Sequence, residues 1–76
     1  MSKAIHIKFG DRIRALRAEH ALTQEKLSQR AGISLYYVQL LEARKPSRSP
    51  SLSILERLAK AFDMEVWELL KFNNKG

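Results

Sequence analysis

The sequence predicts an all-α fold, a compact bundle of five short helices. Three observations carry this. Apolar residues recur at three- and four-residue spacing along most of the chain. Hydroxyl residues suited to helix N-caps (Thr23, Ser34, Ser51) stand just before three of those periodic stretches. No two alternating segments pair convincingly as strands. With 76 residues, 45% of them hydrophobic, the chain makes one domain over 1–76 with a small helical core.

Residues 1–8 read as a short arm. Their alternation Ile5, Ile7, Phe9 is more consistent with a loose lead-in than with a paired strand. The first helix runs from about 9 to 20, with Phe9, Ile13, Leu16 and His20 on one face. Leu22 is a core residue in the connection. Thr23 caps the second helix, whose Leu27 and Ala31 are four apart and point inward together. Gly32 then supplies the left-handed conformation that a side chain makes costly. Ile33 plugs the turn, and Ser34 caps a third helix over about 35–43. Val38 and Leu41 share its buried face with Ile33, while Leu35, Gln39 and Ala43 lie on another face with Tyr36 and Leu40 between. The segment KPSRSPS (45–51) is a loop by composition. Ser51 caps a fourth helix over 52–62 with the stripe Leu52, Leu55, Leu58, Ala59 and Phe62. Asp63 ends it and Met64 resumes the core. A last helix over 65–71 offers Val66, Leu69 and Leu70, and 72–76 form a frayed tail.

Residues 22–42, LTQEKLSQRAGISLYYVQLLE, are the most informative segment. An apolar-striped helix, a glycine, a short turn and a serine-capped second helix make a helix-turn-helix, an arrangement suited to laying one helix in a DNA major groove.

Composition restricts the alternatives. The chain contains no cysteine, so no disulfide or cysteine-held zinc supports it. His6 and His20 lack metal-ligand spacing, and no metal or cofactor is expected. No apolar run spans a membrane and no signal peptide is evident, which predicts a cytoplasmic protein with no membrane partner. Neither a nucleophile–base pair nor a phosphate-cradling glycine loop is present, so an enzyme is not expected, nor a small-molecule ligand. The net charge of +6 suits a polyanion. It is unevenly placed: Arg44, Lys45, Arg48, Arg57 and Lys60 face one acid, Glu56, between 43 and 60, whereas 63–70 holds acids and no base.

Over roughly 9–70 the chain resembles the lambda-repressor-like (Cro/C1-type, XRE) helix-turn-helix family. The segments that match in order are FGDRIRALR, LTQEKLSQRAGIS, the Leu41-Glu42 pair, the serine-proline loop, LERLAKAF and VWELL. The resemblance implies a sequence-specific, usually dimeric regulator of transcription, of the kind found among phage repressors, antitoxins and restriction–modification controller proteins. It implies base reading by Leu35, Tyr36, Gln39 and Leu40, with the alternative that one of Leu40 and Leu35 faces the core. It implies backbone contacts by Gln24, and an ion pair, Arg17 with Glu42, tying the first helix to the end of the third. Ser34, Tyr37, Arg44, Lys45 and Arg48 are further candidates for phosphate.

Two departures stand out. Arg44 occupies a place where the family prefers glycine, so either it adopts a left-handed conformation or the third helix ends differently. The recognition helix is also unusually apolar. Leucine side chains and the tyrosine ring there can pack, chiefly on thymine methyls, and the tyrosine hydroxyl can also hydrogen-bond phosphate or base, leaving Gln39 as the best candidate for bidentate adenine recognition. The expected partner is therefore a double-stranded operator, an inverted repeat bound by a homodimer through Val66, Trp67 and Leu70 of the last helix. The competing reading is a protein-interaction module, or an antitoxin-type partner protein, on the same fold.

Overall fold

The computed structural model describes residues 3–44 and 49–72. Five helices follow in order: α1 (Lys3–Glu19), α2 (Gln24–Ala31), α3 (Leu35–Glu42), α4 (Leu52–Ala61) and α5 (Val66–Leu69). Helix α3 packs between α1 and α2, α2 also meets α4, and α4 meets α5. The core they enclose is built from Phe9, Ile13 and Leu16 of α1, Leu27 and Ala31 of α2, Val38 and Leu41 of α3, Leu55, Leu58 and Ala59 of α4, and Leu69 of α5. Leu22 and Phe62 join it from the connections. None of the described helices is long and apolar enough to cross a membrane.

The cap residues act as their chemistry dictates. Thr23 Oγ1 accepts from the Lys26 amide at 3.0 Å, Ser34 Oγ from Tyr37 at 3.0 Å and Ser51 Oγ from Ile54 at 3.1 Å. Three helices close with the Schellman pair of hydrogen bonds. After α2 these are Ile33 N–H to Ser28 C=O and Gly32 N–H to Gln29 C=O, with Gly32 at φ 68°. After α1 the same pair spans Leu22 to Arg17 and Ala21 to Ala18, with Ala21 at φ 54°. After α4 it spans Met64 to Ala59 and Asp63 to Lys60, with Asp63 at φ 58°.

The ends of the chain correct the sequence reading. Residues 3–8 are not a loose arm: they are the first turns of α1. His6 is fully buried and continues the Phe9–Ile13–Leu16 face one turn back, while Ile5 stays largely exposed. That pattern is the helical period, and it outweighs the short alternation of Ile5, Ile7 and Phe9. His20 lies just past α1, its ring against Phe62 at 5.2 Å. Phe72, assigned to a frayed tail, packs on the core with its ring edge-on to Phe9 at 6.5 Å. Residues 1–2 and 73–76 lie outside the described residues.

Smaller corrections have local causes. Leu52 was expected in the α4 stripe but is 81% exposed, because the first residue of that helix points past the core; Ile54 packs against it instead. Helix α3 stops at Glu42, since Ala43 turns to an extended conformation (φ −68°, ψ 142°). Arg44 is therefore not left-handed: Ala21 and Asp63 are the only non-glycine residues with positive φ among those described. Helix α5 is a single turn started by Glu65, whose N–H donates to the Glu68 carboxylate at 3.0 Å. Its far end is held by Arg12, whose guanidinium donates to the Glu68 and Leu69 carbonyls at 2.8 and 3.3 Å, a cation at a helix C-terminus.

Candidate nucleic-acid interface

The left-handed Gly32 and the Ser34 cap reverse the chain in three residues, so α3 begins close to where α2 ends. Val38 and Leu41 bury one face of α3 completely. The opposite face presents Tyr36 (69% exposed), Leu35 (38%) and Gln39, with Leu40 and Tyr37 half-buried at its margins. The Tyr37 ring packs against the core. Leu40 thus stands between the two alternatives posed for it, neither sealed in the core nor free.

A charged network fixes the height and rotation of α3. Glu42 is buried, and its carboxylate accepts from Arg17 Nε at 2.6 Å (Oε2), from Arg17 Nη2 at 2.8 Å and from Gln24 Nε2 at 3.1 Å (both Oε1). Arg17 also donates to the Leu22 carbonyl at 3.0 Å. Its hydrogen bond to Glu42 raises the Arg17 pKa above the ordinary arginine value; burial works the other way, and the Glu42 charge adds to the rise. One carboxylate therefore joins α1, the start of α2 and the end of α3.

This bond partly occupies Gln24. One of its two N–H groups faces Glu42, which leaves the other N–H of the amide for an anion. The Ser34 hydroxyl likewise caps α3 as an acceptor. Around both caps, the first amides of α2 and α3 lack intrahelical partners and make these two helix starts electropositive. Arg44 is exposed and donates to Asp11 Oδ1 at 2.8 Å, an oxygen that also receives Arg14 at 2.8 Å. Such an exposed pair is readily exchanged for another anion. Lys45 and Arg48 lie outside the described residues. Away from this face, Val66 packs on the core, whereas Trp67 (68% exposed) and Leu70 project outward. Among the described residues no group of three or more His, Cys, Asp or Glu side chains could hold a metal.

Sequence reasoning missed three participants: His6, Gly10 and Arg14. His6 Nε2 lies 3.1 Å from the Ala43 carbonyl, and Arg14 Nη2 donates to the Glu42 carbonyl at 2.6 Å. For His6 a signal existed, its position three residues before Phe9 and seven before Ile13. For Gly10 and Arg14 the partner backbone is too distant in sequence for any local pattern to show it.

Several known proteins resemble this chain in sequence and fold. Residues 12–75 match the Cro/C1-type HTH DNA-binding domain. The immunity repressor protein of Bacillus phage phi105 is 40% identical over 57 residues, 75% of this chain; the chain spans 38% of that protein's length. An uncharacterized HTH-type transcriptional regulator of Archaeoglobus fulgidus is 31% identical over 64 residues, covering 84% of this chain and 89% of the relative. Among solved structures, the restriction-modification controller protein C.AhdI from Aeromonas hydrophila superposes with a TM-score of 0.79 at 39% identity. That match covers 87% of this chain and 97% of the controller protein. The hypothetical transcription factor NHTF from Neisseria shares the fold at 22% identity with a TM-score of 0.76, over 92% of this chain and 79% of its own. By its helix-turn-helix, its five-helix architecture and these matches, the chain belongs to the Cro/C1-type (XRE) helix-turn-helix family of DNA-binding transcriptional regulators.

Proposed function

We propose that this protein binds a specific double-stranded operator as a homodimer and regulates transcription from it, with α3 in the major groove. The observation that carries the reading is the division of α3 into a sealed face, Val38 and Leu41, and an outward face, Leu35, Tyr36 and Gln39, beside two capped helix starts. Leu35, Tyr36, Gln39 and the rim of Leu40 read bases. Gln24 through its second N–H, Ser34, the Tyr37 hydroxyl, Arg44, Lys45 and Arg48 hold phosphates. The net charge of +6 supplies non-specific affinity and makes binding salt-dependent. The repressor and controller proteins among the relatives support a role as repressor or controller at a promoter.

Selection of bound sequences from randomised duplexes tests this. The expected product is an inverted repeat with half-site centres about one helical turn, roughly 34 Å, apart. Recovery of no motif would favour a protein-interaction module instead. The apolar surface of α3 would then be the contact for a partner protein.

A further inference from the structure

Of the four longer helices, α1, α2 and α4 each close with a left-handed residue and a Schellman pair, at Ala21, Gly32 and Asp63. Helix α3 does not. No glycine follows it, and Ala43 leaves in an extended conformation. Of its last carbonyls, Leu40 C=O accepts from the Ala43 N–H at 3.3 Å, and those that follow have no intrahelical donor.

Those carbonyls meet one stripe of α1. Residues 6, 10 and 14 are spaced by four and so stand above one another on the helix. The Ala43 carbonyl faces His6 Nε2 at 3.1 Å. The Glu42 carbonyl accepts from Arg14 Nη2 at 2.6 Å. Leu41 C=O lies so close to Gly10 that a Cβ there would come within 2.6 Å of the oxygen. Because a carbonyl only accepts, His6 must carry its proton on Nε2. Its Nδ1 is buried without a partner, so the ring has no second bond that would account for its place. His6 and Gly10 precede the residues matched by the family domain, which begin at 12.

We infer that α1 is the C-cap of the recognition helix, and that His6 is a positioning residue for DNA reading. It fixes the last turn of α3 and the direction in which the chain leaves toward Arg44. The positioning half of this inference rests on the operator-binding reading above; the capping half does not.

Two measurements test it. The imidazole nitrogen shifts of the wild-type protein, read by NMR, should show the Nε2–H tautomer; the Nδ1–H tautomer would overturn the cap. Site preference is then compared, at a temperature where circular dichroism shows each variant folded. His6→Leu fills the space without a donor and should lose about three- to tenfold of the preference for the selected site over random duplex, the scale of one net hydrogen bond. His6→Gln carries an N–H near the same place and should keep that preference. If His6→Leu does not fold, Arg14→Met removes the neighbouring donor with the same expectation. Wild-type preference in His6→Leu, or equal loss in both His6 variants, would overturn the positioning role. A wild-type protein that selects no site defeats the operator reading and the positioning role with it, and the tautomer alone then decides the cap.

Discussion

Arg17 and Glu42 meet through two parallel N–H···O bonds, Nε to Oε2 at 2.6 Å and Nη2 to Oε1 at 2.8 Å, across 25 residues of sequence. The Glu42 side chain is 4% exposed and the Arg17 side chain 18%. Arg17→Met leaves the buried Glu42 carboxylate with only Gln24 and Arg14 Nε at 3.7 Å, and should destabilise the fold by up to about 3 kcal/mol; Glu42→Leu should cost less, because Arg17 is partly exposed and keeps the Leu22 carbonyl. The double variant should cost clearly less than the sum. Urea unfolding of the four proteins measures both.

Gly10→Ala should destabilise, against the usual rule. In an open helix that change gains roughly 1 kcal/mol from propensity. Here the new Cβ would stand 2.6 Å from Leu41 O and 3.3 Å from Glu42 Cα, both backbone atoms. Backbone cannot swing aside as a side-chain tip can, and overpacking of this kind costs about 1–3 kcal/mol. Overpacking should win, lowering the thermal midpoint.

Ala21→Gly should stabilise. Ala21 is exposed and held at φ 54°, where an L-residue with a Cβ is disfavoured by roughly 1–2 kcal/mol. Part of that is returned as entropy of the unfolded chain, leaving a net gain of about 0.5–1 kcal/mol. Asp63, at φ 58°, should gain less on the same change, since aspartate tolerates this region better. Denaturation midpoints of the two variants give the comparison.

The operator half-site should contain thymines whose methyl groups meet Leu35 or Tyr36. Replacing such a thymine by uracil removes only the methyl and should weaken binding. In Leu35→Ala the same replacement should have almost no effect, because the two changes delete one contact. Gln39→Ala should lower the preference for the selected site by about 1–3 kcal/mol. Anisotropy titrations at fixed salt measure all of these.

The homodimer is expected to form through α5, with Trp67 as its anchor beside Val66 and Leu70. Interfaces concentrate their binding energy in buried aromatics of this kind, and Trp67 is 68% exposed in the single chain. Sedimentation at micromolar concentration should find a dimer for the wild type and a shift toward monomer for Trp67→Ala. A monomer in both cases would place the seam elsewhere or remove it.

Much of this molecule could be read from local pattern. The caps at Thr23, Ser34 and Ser51, the turn at Gly32 and the inward stripes of α2, α3 and, after its first residue, α4 depend on neighbours within four residues, so the sequence displays them directly. The start of α1 does not follow so simply. His6 is a polar residue on an apolar face, and its reason for being there is the Ala43 carbonyl 37 positions away. Gly10 looks like a weak point in a helix until the backbone of α3 is laid against it. Phe72 looks like tail until the Phe9 ring is beside it. At the candidate interface, the composition of the outward α3 face was legible. The engagement of Gln24 by Glu42 required the fold, as did the pairing of Arg44 with Asp11.

The side chains of Leu35, Tyr36 and Gln39 engage no hydrogen bond or ion pair within the described residues, while Val38, Leu41 and Glu42 on the same two turns hold the helix in place. Exposed positions without such ties usually change stability by less than about 0.5 kcal/mol when substituted. The lettering of this helix can therefore drift while its mounting stays still. On the proposed operator reading, a lineage could pass from one operator to another through single substitutions, each leaving a folded protein behind it, and only the half-buried Leu40 would tax the fold along the way.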